Sequence, residues 1–452
     1  MKTITTVTRH HRRLRSVGIL LIALSLAVID LGPSRAEALG TTQSVIVTPS
    51  TTVPMLTGSL TPVNNSRGDQ TNPRVNRDRV SYTNDDFAGN SLIHLFDFST
   101  ATDQIIPGNG LDWLSDVTDT QVAFTQLTAL SDQIVVFDTT SQTSTIVSGA
   151  KCSNPALGGN LLTFEDRNLT DPNQSEIDVY DFNTASVTRL TNDGLFDKNP
   201  AVSPTGNAIV WEKCTTPGAG CDIYSAIQTS PGVFTTQALT DVNGEDRVPD
   251  TNGDIVVYTS NRNGETDIYY QPVAGGVETQ LAIAGDQRDV RISGNLIVFE
   301  SGTSFWHDVF VYDINTQSLY QVTNTPSDDE RLSNISVWNG TGRVVWAVAG
   351  GFGDFDLYAF TFQIPSSVPS QINNLITLVQ SFQLPHGIEN SLVTKLQDAL
   401  AALNTADSAT ACDSLRSFIS QCSAQSGKAL TKEQADQLIN SATQIRTDLG
   451  CQ

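Results

Sequence analysis

The chain has 452 residues, with 26 Lys and Arg against 48 Asp and Glu and a net charge of −22. That length leaves room for more than one domain. So acidic a chain repels nucleic acid, whose binding by counterion release needs the clustered Lys and Arg that are missing here.

Lys2, Arg9, Arg12, Arg13 and Arg15 precede an apolar run at 17–29, then Gly32-Pro33 and Ala36-Glu37-Ala38. Basic, apolar and small residues in that order predict a secretory signal peptide over residues 1–38. The apolar run is shorter than the ~20 residues that a membrane-spanning helix needs. Residues 1–38 hold six basic and two acidic side chains, so the rest of the chain carries 20 against 46 and a net charge of −26. The mature protein is expected to be exported, periplasmic or extracellular, and soluble after cleavage.

Seven apolar runs each end near an aromatic residue: Tyr82, Phe124, Phe164, Trp211, Tyr258, Phe299 and Trp346, spaced 42, 40, 47, 47, 41 and 47 residues apart. A second run follows most of them, as in Ile177-Asp-Val-Tyr180, and a polar turn and a Leu-Thr or Val-Thr step close the unit, as at Leu190-Thr191 and Val322-Thr323. Alternating runs with turn residues between them read as antiparallel strands. Three or four strands repeated every 40–50 residues match the blades of a propeller. The expected fold is an all-β propeller over residues 39–363, with seven blades and six as the alternative. The last repeat lacks its outer strand, and Gln43-Ser-Val-Ile-Val-Thr48 is expected to supply it and close the ring.

Ser203-Pro-Thr-Gly-Asn207, followed by Ala-Ile-Val-Trp211, resembles the Ser-Pro-Asp-Gly turn and inner strand of TolB-type propeller repeats, and Thr259-Ser-Asn-Arg-Asn-Gly-Glu-Thr-Asp267 is similar to that family's inner hairpin. The likeness spans about residues 70–362 and implies the fold.

Residues 364–371, Ile-Pro-Ser-Ser-Val-Pro-Ser-Gln, read as a linker. Four amphipathic stripes follow, predicting a four-helix domain over 372–452. They include Ile372/Leu375/Val379, Leu392/Leu396/Leu400, Leu415/Phe418/Cys422 and Leu438/Ala442/Ile445. Thr431-Lys-Glu-Gln434 predicts a capping box. The segment resembles the FIMAH module of bacterial secreted proteins at Phe418-Ile419, with Ser420-Gln421-Cys422 in place of Met-Ala-His. Of the six cysteines, Cys214 with Cys221 and Cys412 with Cys451 are the expected disulfides, and the state of Cys152 and Cys422 is left open.

Catalytic signals are sparse. His94, His307 and His386 have no metal spacing, and no Gly-x-Ser-x-Gly elbow occurs. Charged residues recur before the inner strands, with Asp112, Asp197, Asp246, Asp289 and Glu330 beside Arg247, Arg288 and Arg331. Together with Trp113 they form the candidate ligand-binding rim at one mouth of the channel. No catalytic residue, metal site or cofactor is expected; calcium is the one ion whose loop spacing the Thr259–Asp267 hairpin approaches. These features predict an exported, non-enzymatic scaffold that binds an extracellular or envelope protein or glycan. The alternative is an extracellular polysaccharide lyase or hydrolase using the acidic residues at the channel mouth.

Overall fold

The computed structural model describes residues 43–45, 53–129, 131–149, 151–167, 174–241, 244–303, 306–325, 328–349, 354–364, 368–405 and 407–451. The expected signal peptide, and residues 46–48 of the expected closing strand, lie outside the described residues.

Each apolar run becomes the second strand of an antiparallel quartet. The first quartet runs Asp69–Asn76, Arg79–Asp85, Ser91–Asp97 and Thr102–Ile105; the second runs Asp112–Val117, Gln121–Leu127, Asp132–Asp138 and Thr143–Ser148. The third (Cys152–Gly158, Leu161–Arg167, Ser175–Asp181, Ser186–Arg189) and the fourth (Phe196–Val202, Ala208–Thr216, Ala219–Ser230, Val233–Ala238) join in one sheet through a single bridge from Ser175 to Phe196. Asp246–Thr251, Ile255–Ser260, Asp267–Pro272 and Thr279–Leu281 follow, then Asp286–Ser293, Leu296–Thr303, Trp306–Asp313 and Ser318–Gln321. The last quartet takes Glu330–Trp338, Thr341–Ala349 and Phe355–Gln363 from the end of the β region, and Gly58–Asn64 from its beginning.

The second strands are apolar on both faces because each quartet is sandwiched between two others. Val80, Val122, Leu162, Ile209, Val256, Ile297 and Val344 are fully or almost fully buried. Each innermost strand packs on the next, and Glu330–Trp338 packs back on Asp69–Asn76. Two side chains stitch that closing seam: Val75 N donates to Asn334 Oδ1 (3.1 Å) and Arg77 N to Ser336 Oγ (2.9 Å).

The closing strand is not the expected one. Gln43–Val45 instead pairs in parallel with Thr279–Leu281 at the outer edge of the fifth quartet. The strand that completes the last quartet is Gly58–Asn64. As an outermost strand it tolerates Pro62, which has no N–H to donate. A Cβ at Gly58 would lie 2.4 Å from the Thr361 carbonyl oxygen and 2.7 Å from the Phe360 ring, so glycine is what lets the strand approach.

Four helices follow: α1 (Val368–Ser381), α2 (His386–Asn404), α3 (Ser408–Gln425) and α4 (Lys432–Asp448). They pack in sequence around a core of Ile372, Leu375, Leu392, Leu396, Leu415, Phe418, Leu438 and Ile445. The helical region thus starts inside the segment read as linker, because Pro369 sits in the first turn, where its missing N–H costs nothing. The capping box at Thr431 and Gln434 is present in full. Disulfides join Cys214 to Cys221 and Cys412 to Cys451, while Cys152 and Cys422 are buried thiols. Among the described residues no helix is long and apolar enough to cross a membrane.

Candidate active site

Among the described residues, the innermost strand of each of the seven quartets carries the same irregularity. Each ladder slips its register at one point, and the residue there turns to positive φ: Asn72, Leu114, Asn154, Asn199, Val248, Asp289 and Leu332, with φ between 47° and 58°. Four of them precede proline, at Pro73, Pro155, Pro200 and Pro249. These bulges re-aim the next side chains. Two residues further on, every strand places a side chain on the channel wall: Arg74, Asp116, Ala156, Ala201, Asp250, Arg291 and Asn334 in ring order. They line a cavity of about 590 Å³ in the half of the channel toward the carboxyl ends of the innermost strands.

The bulges also fix how neighbouring quartets meet. The residue after the aromatic anchor reaches across to the next quartet's bulge. Glu165 Oε1 accepts from Asn199 N (2.8 Å), Glu212 Oε1 from Val248 N (2.7 Å) and Glu300 Oε1 from Ser333 N (2.7 Å). Thr125 does the same for Asn154 N (3.1 Å). Burial pushes the Glu165 carboxyl up, and burial beside Asp289 pushes Glu300 well up. These three glutamates lie outside the expected rim, although Phe164-Glu165, Trp211-Glu212 and Phe299-Glu300 stand in one repeat position that marks them in the sequence.

Within the cavity, Asp116 Oδ2 accepts from Leu157 N (2.7 Å) and Asp250 Oδ2 from Ile292 N (2.9 Å), so each carboxyl is held by a neighbouring strand. Burial raises the affinity of both for a proton, against the pull of Arg74 on Asp116 and of Arg291 on Asp250. Arg74 is lowered to about 10, first by burial and then by Arg291, against the pull of Asp116, Asp250 and Asp289. Among the described residues no carboxylate comes within ion-pair distance of the Arg74 or Arg291 guanidinium. Their hydrogen bonds are to Pro73 O (3.3 Å) and Val290 O (2.7 Å).

None of the nine residues expected to form the rim lines this cavity; eight stand at the amino-terminal side of the bulges and Asp289 lies in one. Asp112, Asp197, Asp246 and Glu330 share one repeat position and are buried. Asp112 accepts from Gln126 Nε2 and Asn109 N, Asp197 from Trp211 Nε1 (2.8 Å), and Asp246 from Arg262 Nη2 (3.0 Å). Burial pushes Asp197 up to about 6 and Glu330 up to about 7. Asp289 is a bulge residue and so belongs to a different repeat position. Trp113 is half-buried. Arg247 bonds the Gly218 carbonyl and Glu245. Arg288 bridges Glu300 and Asp329, and Arg331 also binds Asp329. His307 and His94 are each tied to an aspartate, Asp329 and Asp103. Trp306 is 48% exposed.

In the hairpin of calcium-like spacing the oxygen side chains have separate partners. Asn261 Oδ1 accepts from Glu245 N, Asn263 Nδ2 donates to Tyr269 and Asp267 accepts from Gln280. Glu176, Asp193 and Asp197 bring one carboxylate oxygen each within 4.8 Å of one another, and Lys213 forms ion pairs with Asp193 and Asp197.

No protein-family model matches the chain, and no curated protein sequence does. Solved structures do. The β-propeller domain of the Trilobed protease from Pyrococcus furiosus, described as having an open velcro topology, is 10% identical with a TM-score of 0.51, covering 67% of this chain and 99% of that one. Oligogalacturonate lyase in complex with manganese is 12% identical with a TM-score of 0.51, covering 68% and 94%. Puromycin hydrolase is 16% identical with a TM-score of 0.52, covering 65% and 52%. The chain spans about half the length of the peptidase and hydrolase chains that it matches. At these identities the likeness establishes a propeller fold. The same neighbours, the propeller domain of a protease, a lyase and a hydrolase, correct the expectation of a non-enzymatic scaffold.

Proposed function

We propose that the protein is an exported enzyme, a lyase or hydrolase of polysaccharide, whose site is the central channel of a seven-bladed, TolB-type propeller followed by a FIMAH-like helical domain. The observation that carries this reading is the cavity of about 590 Å³ in which two carboxyl groups of raised proton affinity, Asp116 and Asp250, flank two arginines. A carboxyl whose proton affinity is raised by burial is suited to exchanging a proton with a glycosidic oxygen or a ring carbon. Both carboxyls are fixed by backbone N–H groups of the adjacent strand, which supplies the orientation such transfer needs. The lyase neighbour, matched over 94% of its length, supports this reading.

The test is turnover by the purified protein on a panel of neutral and acidic polysaccharides, read as released reducing ends and as the absorbance of unsaturated products. Activity that falls at least 100-fold in D116N and in D250N, with the fold retained by circular dichroism, is the expected result. Activity untouched by both, or absent across the panel, sinks the reading.

A further inference from the structure

The wall of the channel is asymmetric. In ring order it reads Asp116, Arg74, Asn334, Arg291 and Asp250, and the two remaining places are Ala156 and Ala201. One arc is therefore cationic at its centre, and the arc facing it has side chains reduced to methyl groups.

The arginines are the feature that needs explaining. Both are half-buried on the cavity wall, where partial desolvation favours pairing a charge. Arg74 and Arg291 repel each other across Asn334, and among the described residues neither has a carboxylate within ion-pair distance. The carboxyls beside them are already engaged by the Leu157 and Ile292 N–H groups. Asn334 Oδ1 is likewise held by Val75 N, which leaves its Nδ2 as a donor beside the two guanidiniums. Guanidinium donors in a fork suit a planar or tetrahedral oxyanion, and a second positive charge close by strengthens that preference.

We propose that Arg74, Arg291 and Asn334 form a recognition site for a compact oxyanion, the carboxylate of a sugar acid or a phosphate, with the body of the ligand lying over Ala156 and Ala201. Reading that oxyanion as part of the substrate rests on the proposed function; the binding site itself does not. The site makes the substrate anionic even though the chain as a whole carries a net charge of −22. Low-dielectric walls focus the field of two guanidiniums into the channel while the outer surface stays negative.

Isothermal titration calorimetry of the purified protein with galacturonate, galactose and inorganic phosphate tests this. Galacturonate or phosphate is expected to bind and galactose is not. R74M and R291M each weaken the oxyanion at least 10-fold, and R74K and R291K fall between. A201L separates the sources. If the ligand is a sugar acid, it abolishes galacturonate binding and spares phosphate; if the ligand is free phosphate, galacturonate never binds at all. The site is overturned if neither oxyanion binds the folded protein, if galactose binds as well as galacturonate, or if R74M and R291M bind unchanged. Where a methionine variant fails to fold, the lysine variants and A201L carry the same decision. Oxyanion binding without turnover of any polysaccharide removes the enzyme reading and leaves this one; turnover of a neutral polysaccharide unaffected by R74K and R291K does the reverse.

Discussion

At the residue scale, the seven bulges are where conformational cost is concentrated. Val248 is β-branched and holds φ at 54°, a region that costs a side chain of its kind ~1–2 kcal/mol. Asparagine takes the equivalent position at 72, 154 and 199. V248N is therefore expected to stabilise the protein by ~1 kcal/mol, seen as a higher urea midpoint with an unchanged slope; a lower midpoint would show that the Val248 side chain packs better than its backbone is strained. The buried acids give a second expectation. Glu330 is raised from 4.5 to about 7 and Asp197 from 3.8 to about 6, both by burial first. A folded state that holds these protons more tightly gains stability that is full below the unfolded values and is lost as pH rises through the folded ones. The urea midpoint should fall between pH 4.5 and 7, and E330Q, neutral throughout, should flatten that fall. A midpoint that rises over this range would contradict it. The rim was read from charge and repeat position, and the repeat position of the acids was legible. Their burial was not, because each bulge shifts the alternation of its strand by one residue and reverses which side chains face the channel. The same shift hid Arg74 and Arg291, although the Asn-Pro-x pattern at 72–74, 154–156 and 199–201 marks the position in the sequence.

At the element scale, turn chemistry and periodicity carried the reading furthest. The aromatic spacing locates the second strand of every quartet, and the apolar stripes locate all four helices. Two misreadings have local causes. Gln43–Thr48 has strand composition, but composition does not say which edge a strand will join; Gly58 and Pro62, which look like breakers, suit Gly58–Asn64 to the outer edge that it occupies. Pro369 reads as linker and is in fact the first turn of α1. The Cys412–Cys451 bond ties the first turns of α3 to the third residue beyond α4, closing 39 residues of sequence. Loop closure of that length is worth ~4 kcal/mol. C412S/C451S should lower the melting of the helical region, followed by far-ultraviolet circular dichroism at the helical minimum, and leave the β-sheet transition in place. Coincident loss of both would show that the two regions unfold as one.

At the scale of the whole molecule, the ring and the cavity are one construction. The strands close because Asn334 and Ser336 accept the N–H groups of Val75 and Arg77 across the seam, and Arg343 adds an ion pair to Asp78 at 3.0 Å. Asp116 and Asp250 make the same kind of link between other neighbours. The wall is therefore stabilised by the side chains that line it, and a substitution there risks confounding site with scaffold. Ala156 and Ala201 carry less of that risk, since neither has a polar group to lose and both line the cavity while only partly buried.

The most direct measurement is therefore polysaccharide turnover by the A156L/A201L variant beside the unaltered protein, with the melting temperature of each recorded. If the channel is the site, narrowing it with two leucines lowers turnover at least 10-fold and leaves melting within a few degrees. Full turnover by a variant whose channel is so narrowed would place the chemistry elsewhere on the molecule.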